Sequence, residues 1–160
     1  MLGPPRSAYQ IALRLLARRD YTTVQIRQRL GRRGLAPPDI EAAITRLTRA
    51  GLLDDRRVAH AWARRAAEIK LRGQSRTRRE IEALGIAPET ARQAVATVFA
   101  EVDEDGVLDR AIAKRLVGPL TDRAHFRRVY QALVRQGFPP DRVAAQLLRR
   151  SGEADAFVEE

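Results

Sequence analysis

A chain that makes or breaks bonds needs a nucleophile, a tuned acid or base, or a bound metal, and this one offers few such residues. His60 and His125 are its only histidines. They stand far apart, and neither has a second His or a Cys at metal-ligand spacing. Both read as surface residues of helices. Asp54-Asp55 is an adjacent carboxylate pair of the kind that can hold a metal. It falls, however, between Leu53 and Arg56 at the start of a helical pattern, where a carboxylate caps free N–H groups and complements the helix dipole. With no cysteine there is no thiol nucleophile, structural Cys zinc site or disulfide framework. The glycines stand singly, so neither a phosphate-cradling loop nor a dinucleotide fingerprint is present. These residues predict a protein that is not an enzyme, with no cofactor and no metal.

Cationic chemistry is better represented. The 160 residues carry 30 basic and 20 acidic side chains, a net charge of +10. Arg outnumbers Lys so heavily, with Lys70 and Lys114 the only lysines, that Arg identity at any one position says little. Distribution says more. Net charge falls from +7 over residues 1–53, through +3 over 54–101, to zero over 102–160. Arg27, Arg29, Arg32 and Arg33 cluster at the end of one helical pattern, where the dipole alone favours cations. Arg64, Arg65, Lys70, Arg72, Arg76, Arg78 and Arg79 face only Glu68 between residues 64 and 79. That second cluster crosses a turn and predicts contact with a polyanion or an acidic protein, which salt should weaken. Base stacking would want exposed aromatics. Tyr9, Trp62, Phe99, Phe126, Tyr130 and Phe138 fall instead on apolar faces or in turns, and Tyr21 reads as a hydrophobic staple ahead of a helix.

The elements that position these residues recur. Gly34-Leu35-Ala36-Pro37, Gly85-Ile86-Ala87-Pro88 and Gly137-Phe138-Pro139-Pro140 repeat at intervals of 51 and 52 residues. Leu30, Ile81 and Leu133 precede each glycine by four; Ile44, Val95 and Leu147 follow by ten. A glycine ends a helix in the left-handed conformation and a proline three positions on opens the next. Apolar patterns at helical spacing precede each pair: Ala8 to Leu16, Val58 to Ile69 and Leu108 to Leu116. Thr22 with Gln25, and Thr77 with Glu80, have capping-box spacing; the equivalent start in the third unit lies near Thr121 or Asp122.

The expected fold is therefore all-α: three tandem three-helix repeats in an extended, curved array, over 1–53, 54–101 and 102–152, with 153–160 a C-terminal tail. Units of this size are near the lower limit for folding alone and should lean on one another. Gly51, Gly73 and Asp103-Glu104-Asp105-Gly106 are the candidate joints. No apolar run reaches the ~20 residues of a membrane span, and no signal-peptide core opens the chain. A cytoplasmic monomer is the simplest class.

Helix-turn-helix DNA-binding transcriptional regulators are the main alternative. The third helices disappoint as major-groove readers, since the second offers Glu89, Thr90, Gln93, Ala96 and Thr97 outward, with Arg92 the lone cation. Other residues carry a more specific likeness. Gly51-Leu52-Leu53-Asp54-Asp55, Val58-Ala59, Trp62-Ala63, Arg65, Arg72-Gly73, Arg76 and Glu80 to Gly85-Ile86 resemble the signature of the bacterial RecX regulatory family. Ala12-Leu13 to Arg18-Arg19 and Leu133 to Phe138 extend the likeness over nearly the whole chain. Val58, Leu84 and Trp62 depart from the usual residues, the first and third conservatively. The resemblance implies a modulator of the RecA recombinase that binds RecA and its single-stranded DNA filament and restrains strand exchange, ATP hydrolysis and co-protease activity toward LexA. Such a protein acts in homologous recombination, DNA repair and the SOS response. It implies RecA as partner, with DNA touched directly at weak sequence preference.

Overall fold

The computed structural model describes residues 7–120 and 122–155, and within them the chain is helical throughout, with no strand. The first unit holds α1 (Ala8–Leu16), α2 (Thr23–Gly31) and α3 (Pro37–Arg49). The second holds α4 (Asp55–Glu68), α5 (Gln74–Ala83) and α6 (Pro88–Ala100); the third holds α7 (Glu104–Arg115), α8 (Arg123–Arg135) and α9 (Pro140–Asp155). Packing runs mainly within each trio, and α7 also touches α4.

Local chemistry fixes the helix ends. Gly34, Gly85 and Gly137 take φ of 75°, 85° and 99°, the left-handed region that a Cβ disfavours. Pro37, Pro88 and Pro140 then open α3, α6 and α9. The residue after each glycine folds back onto its own unit's core: Ile86 and Phe138 are buried and Leu35 packs at the edge. Thr22 and Gln25 form the expected capping box on α2. Asp54 caps α4 by accepting from the N–H groups of Arg56 and Arg57 at 3.0 and 3.2 Å. Asp122 caps α8; Thr121 lies outside the described residues. The last helix runs to Asp155, past the expected start of the tail, and 156–160 lie outside the described residues.

One expected helix start is corrected. Thr77 and Glu80 do not form a capping box, because α5 already begins at Gln74 behind Gly73. Thr77 is wholly buried one turn inside the helix and its hydroxyl donates to the Gly73 carbonyl at 2.9 Å. Its Thr-x-x-Glu spacing matched the motif, but the chain turned four residues earlier.

Three apolar clusters fill the units. Ile26, Leu30, Ile44 and Leu47 centre the first, Ile81, Ala91, Val95 and Val98 the second, and Ile112, Leu133, Val143 and Leu147 the third. Consecutive units then meet through one repeated contact. The carbonyl of Leu84, just before the second turn glycine, accepts from the Thr22 hydroxyl at 2.9 Å. One repeat later the carbonyl of Gln136 accepts from the Gly73 N–H at 3.0 Å. Thr22 and Gly73 are both N-caps of second helices, so each turn seats on the start of α2 or α5 in the preceding unit.

The seat leaves no room for side chains. A Cβ on Gly85 would lie 2.7 Å from the Val24 Cβ, and one on Gly137 would lie 2.6 Å from the Arg76 Cβ. A Cβ on Gly34, which has no preceding unit, meets nothing within 4 Å. The first joint gains a further tie from Asp55, whose carboxylate accepts from the N–H of Thr23 at 2.8 Å and from its hydroxyl at 3.2 Å. At the second, Gln136 donates to the carbonyl of Leu71, a residue held at φ 51°.

Candidate interaction surface

The eleven cations expected to make contacts divide into those already engaged and those left facing water. Arg27 grips Glu41 through two bonds of 2.6 and 3.1 Å. Arg64 reaches Glu101 at 3.0 Å and Glu68 at 3.5 Å, and Arg78 lies 3.6 Å from Glu82. Arg72 and Arg76 both converge on Glu80, which also receives the Trp62 indole N–H at 3.4 Å. Burial disfavours the charged Glu80 carboxylate, but the donors from Arg76 and Arg72 outweigh it, and the pKa sits below the usual carboxylate value. Arg72 thus ties the loop after α4 to α5, Arg76 pairs within its own helix, and Trp62 supplies the link to α4.

Arg32, Arg33 and Arg65 are exposed, with no ion pair among the described residues. Arg79 is exposed and its guanidinium returns only to the Ser75 carbonyl at 3.3 Å. Arg29 lies 4.7 Å from the Tyr21 ring centroid on one side, with Arg19 at 4.3 Å. The Arg19 guanidinium beside the phenol lowers the Tyr21 pKa from its ordinary value. Lys70 stands 4.6 Å over the Trp62 ring. Cation–ring contacts of this kind contribute about 0.5–1 kcal/mol at exposed sites and keep the charge accessible.

Arg19 joins these pieces. Besides stacking on Tyr21, it lines a groove of about 510 Å³ at the joint of the first two units, together with Arg65, Lys70, Val58, Trp62 and Leu84. The surface therefore continues from Arg29 across Tyr21 and Arg19 into the joint. Arg19 is named in the family likeness but not among the expected contacts, because it lies in the loop after α1, outside both charge clusters. A stacking cation two residues before a buried tyrosine was the available signal. Leu84 adds an apolar side chain to this lining.

Among the described residues no group of His, Cys, Asp and Glu could hold a metal ion, and no helix is long and apolar enough to cross a membrane. His60 and His125 lie on α4 and α8, each half-buried.

Comparison with known proteins gives the family and the fold. A family model described as "RecX, first three-helix domain" matches residues 8–47, within the first unit. The "Regulatory protein RecX" of Halorhodospira halophila is 38% identical over 142 residues, covering 84% of this chain and 82% of that protein. The chain belongs to the RecX family. A second RecX relative, from Trichlorobacter lovleyi, is 33% identical over 146 residues, covering 86% of this chain and 91% of the relative. The crystal structure of RecX from Lactobacillus salivarius superposes with a TM-score of 0.75 at 19% identity, covering 91% of this chain and 94% of that one. RecX membership makes this a regulatory protein, and the all-helical fold is the one its solved neighbours share.

Proposed function

We propose that this RecX-family protein regulates RecA by lying along the groove of the RecA–single-stranded DNA filament and restraining recombinase, ATPase and co-protease activity, in the cytoplasm and as a monomer. The observation that carries the reading is the set of cations, Arg29 and Arg19 from the first unit with Arg65 and Lys70 from the second, that meets at the first joint in a chain of regulatory family. Three units in a row offer contacts spread along a polymer, which raises avidity without a single strong site. Occupying the groove excludes duplex DNA and LexA, and bridging subunits alters filament disassembly.

A sequence-specific DNA reader is the weaker reading. At the start of α6, Glu89 takes Arg92 at 2.6 Å and Gln93 at 2.7 Å, so the polar side chains that would face a major groove are tied to one another. Co-sedimentation with RecA, single-stranded DNA and ATP, repeated without RecA, tests the proposal. The protein is expected to pellet with the filament, to leave bare DNA largely unbound, and to lower RecA ATP hydrolysis. Equal pelleting with DNA alone, or unchanged hydrolysis by bound filament, would overturn it.

A further inference from the structure

We infer that the groove at the first joint binds an acidic peptide segment of the protein partner through one bulky apolar side chain. The inference rests on the proposed function only in taking that partner to be the RecA filament. The groove's floor is apolar, made by Val58, Trp62 and Leu84, with Ala61 exposed in it. Its rim carries Arg19, Arg65 and Lys70. The one acid on the rim, Asp20, is drawn toward Arg57 at 3.5 Å, which leaves the three cations uncompensated across the opening. A volume of about 510 Å³ lies within the roughly 300–1,000 Å³ of ordinary binding clefts. Apolar floor and cationic rim together match a side chain such as Leu or Phe flanked by Asp or Glu.

The same geometry disfavours single-stranded nucleic acid in the groove. A base needs an open ring face to stack on. The Trp62 ring carries Lys70, its N–H is held by Glu80, and Tyr21 is buried against Arg19 and Arg29. A base would have to displace Lys70, whereas a carboxylate pairs with Lys70 where it stands.

Trp62 is the only tryptophan, so its emission reports on the groove directly. The probe is an N-acetylated octapeptide of Asp and Glu around a central Leu, with a Ser-for-Leu peptide and a dT oligonucleotide as comparisons. The Leu peptide is expected to change Trp62 emission saturably, and the Ser peptide to bind about tenfold more weakly, the order expected for one buried aliphatic side chain. Ala61→Glu adds a carboxylate to the floor without removing packing and should abolish the response with helicity retained. Ala61→Lys adds comparable bulk and should keep it, separating charge from volume. No response to millimolar Leu peptide, or a response to dT instead, would overturn the inference.

Filament co-sedimentation then distinguishes the two readings. If the unmodified protein pellets with the filament and Ala61→Glu does so about tenfold less well, the groove is the contact. Equal pelleting of both sinks the groove assignment alone. Failure of the unmodified protein to pellet, with the peptide response intact, sinks the RecA reading and leaves the groove chemistry standing.

Discussion

Glu80 shows how a single carboxylate can decide what neighbouring cations are for. Arg72, Arg76 and Trp62 all donate to it, and its pKa is lowered despite the opposing effect of burial. A carboxyl whose folded pKa lies below its unfolded one contributes stability above the unfolded value and loses it as pH falls through the folded value. Glu80→Gln is therefore expected to cost about 1–2 kcal/mol at neutral pH in urea unfolding, on the scale of charged hydrogen bonds. The difference from the unmodified protein should close as pH falls below the normal carboxylate range. Charge reversal of Arg72 or Arg76 would share this structural cost, so Arg65 and Arg79 are the cleaner probes of contact. The sequence showed the four-residue spacing from Arg76 to Glu80. The convergence of Trp62 was hidden, because 18 residues and a turn separate it from Glu80. Asp55 is a parallel case: its helix-start position was legible, but the Thr23 N–H it accepts from belongs to another unit.

At the scale of the element, one turn motif performs two tasks. All three glycines allow the left-handed turn, and Gly85 and Gly137 also allow close approach to the preceding unit. Gly34→Ala should cost about 1–2 kcal/mol, since only the backbone conformation is penalised. Gly137→Ala carries that penalty and also forces a Cβ to within 2.6 Å of Arg76, so its loss should be greater by about 1–3 kcal/mol. Denaturant midpoints of the two variants separate the terms, and equal midpoints would deny the seat its role. The periodicity of apolar residues with glycine and proline made the nine helices of the described residues legible. The seat was not, because the local sequence around Gly34 and Gly85 is nearly the same while only one has a neighbour. Gly73 illustrates the limit from the other side: it was marked as a joint, yet its place as the α5 N-cap was assigned to Thr77.

Across the whole molecule the charge gradient was readable from residue counts, but pairing decides how much of it faces outward. Glu41, Glu80, Glu82 and Glu101 engage five of the eleven expected cations; of the remainder Arg65 and Lys70 line the first joint, Arg29, Arg32 and Arg33 lie toward the end of α2, and Arg79 stands apart on α5. Filament binding should weaken by on the order of tenfold or more between about 50 and 200 mM salt. Arg32→Glu with Arg33→Glu should flatten that dependence, and an unchanged slope would place the α2 end away from the contact. The third module differs from the other two in register. Stepping from Thr22 to Gly73 and on by 52 residues arrives at His125, which lies inside α8 because that helix begins at Arg123, behind Asp122. The second helix of the third unit therefore starts three residues earlier relative to its turn glycine than α2 and α5 do, behind its own N-cap Asp122. A duplicate of the middle module spliced between the first two units would meet the existing seat in register, whereas a copy joined after the third would meet a helix start displaced by three residues.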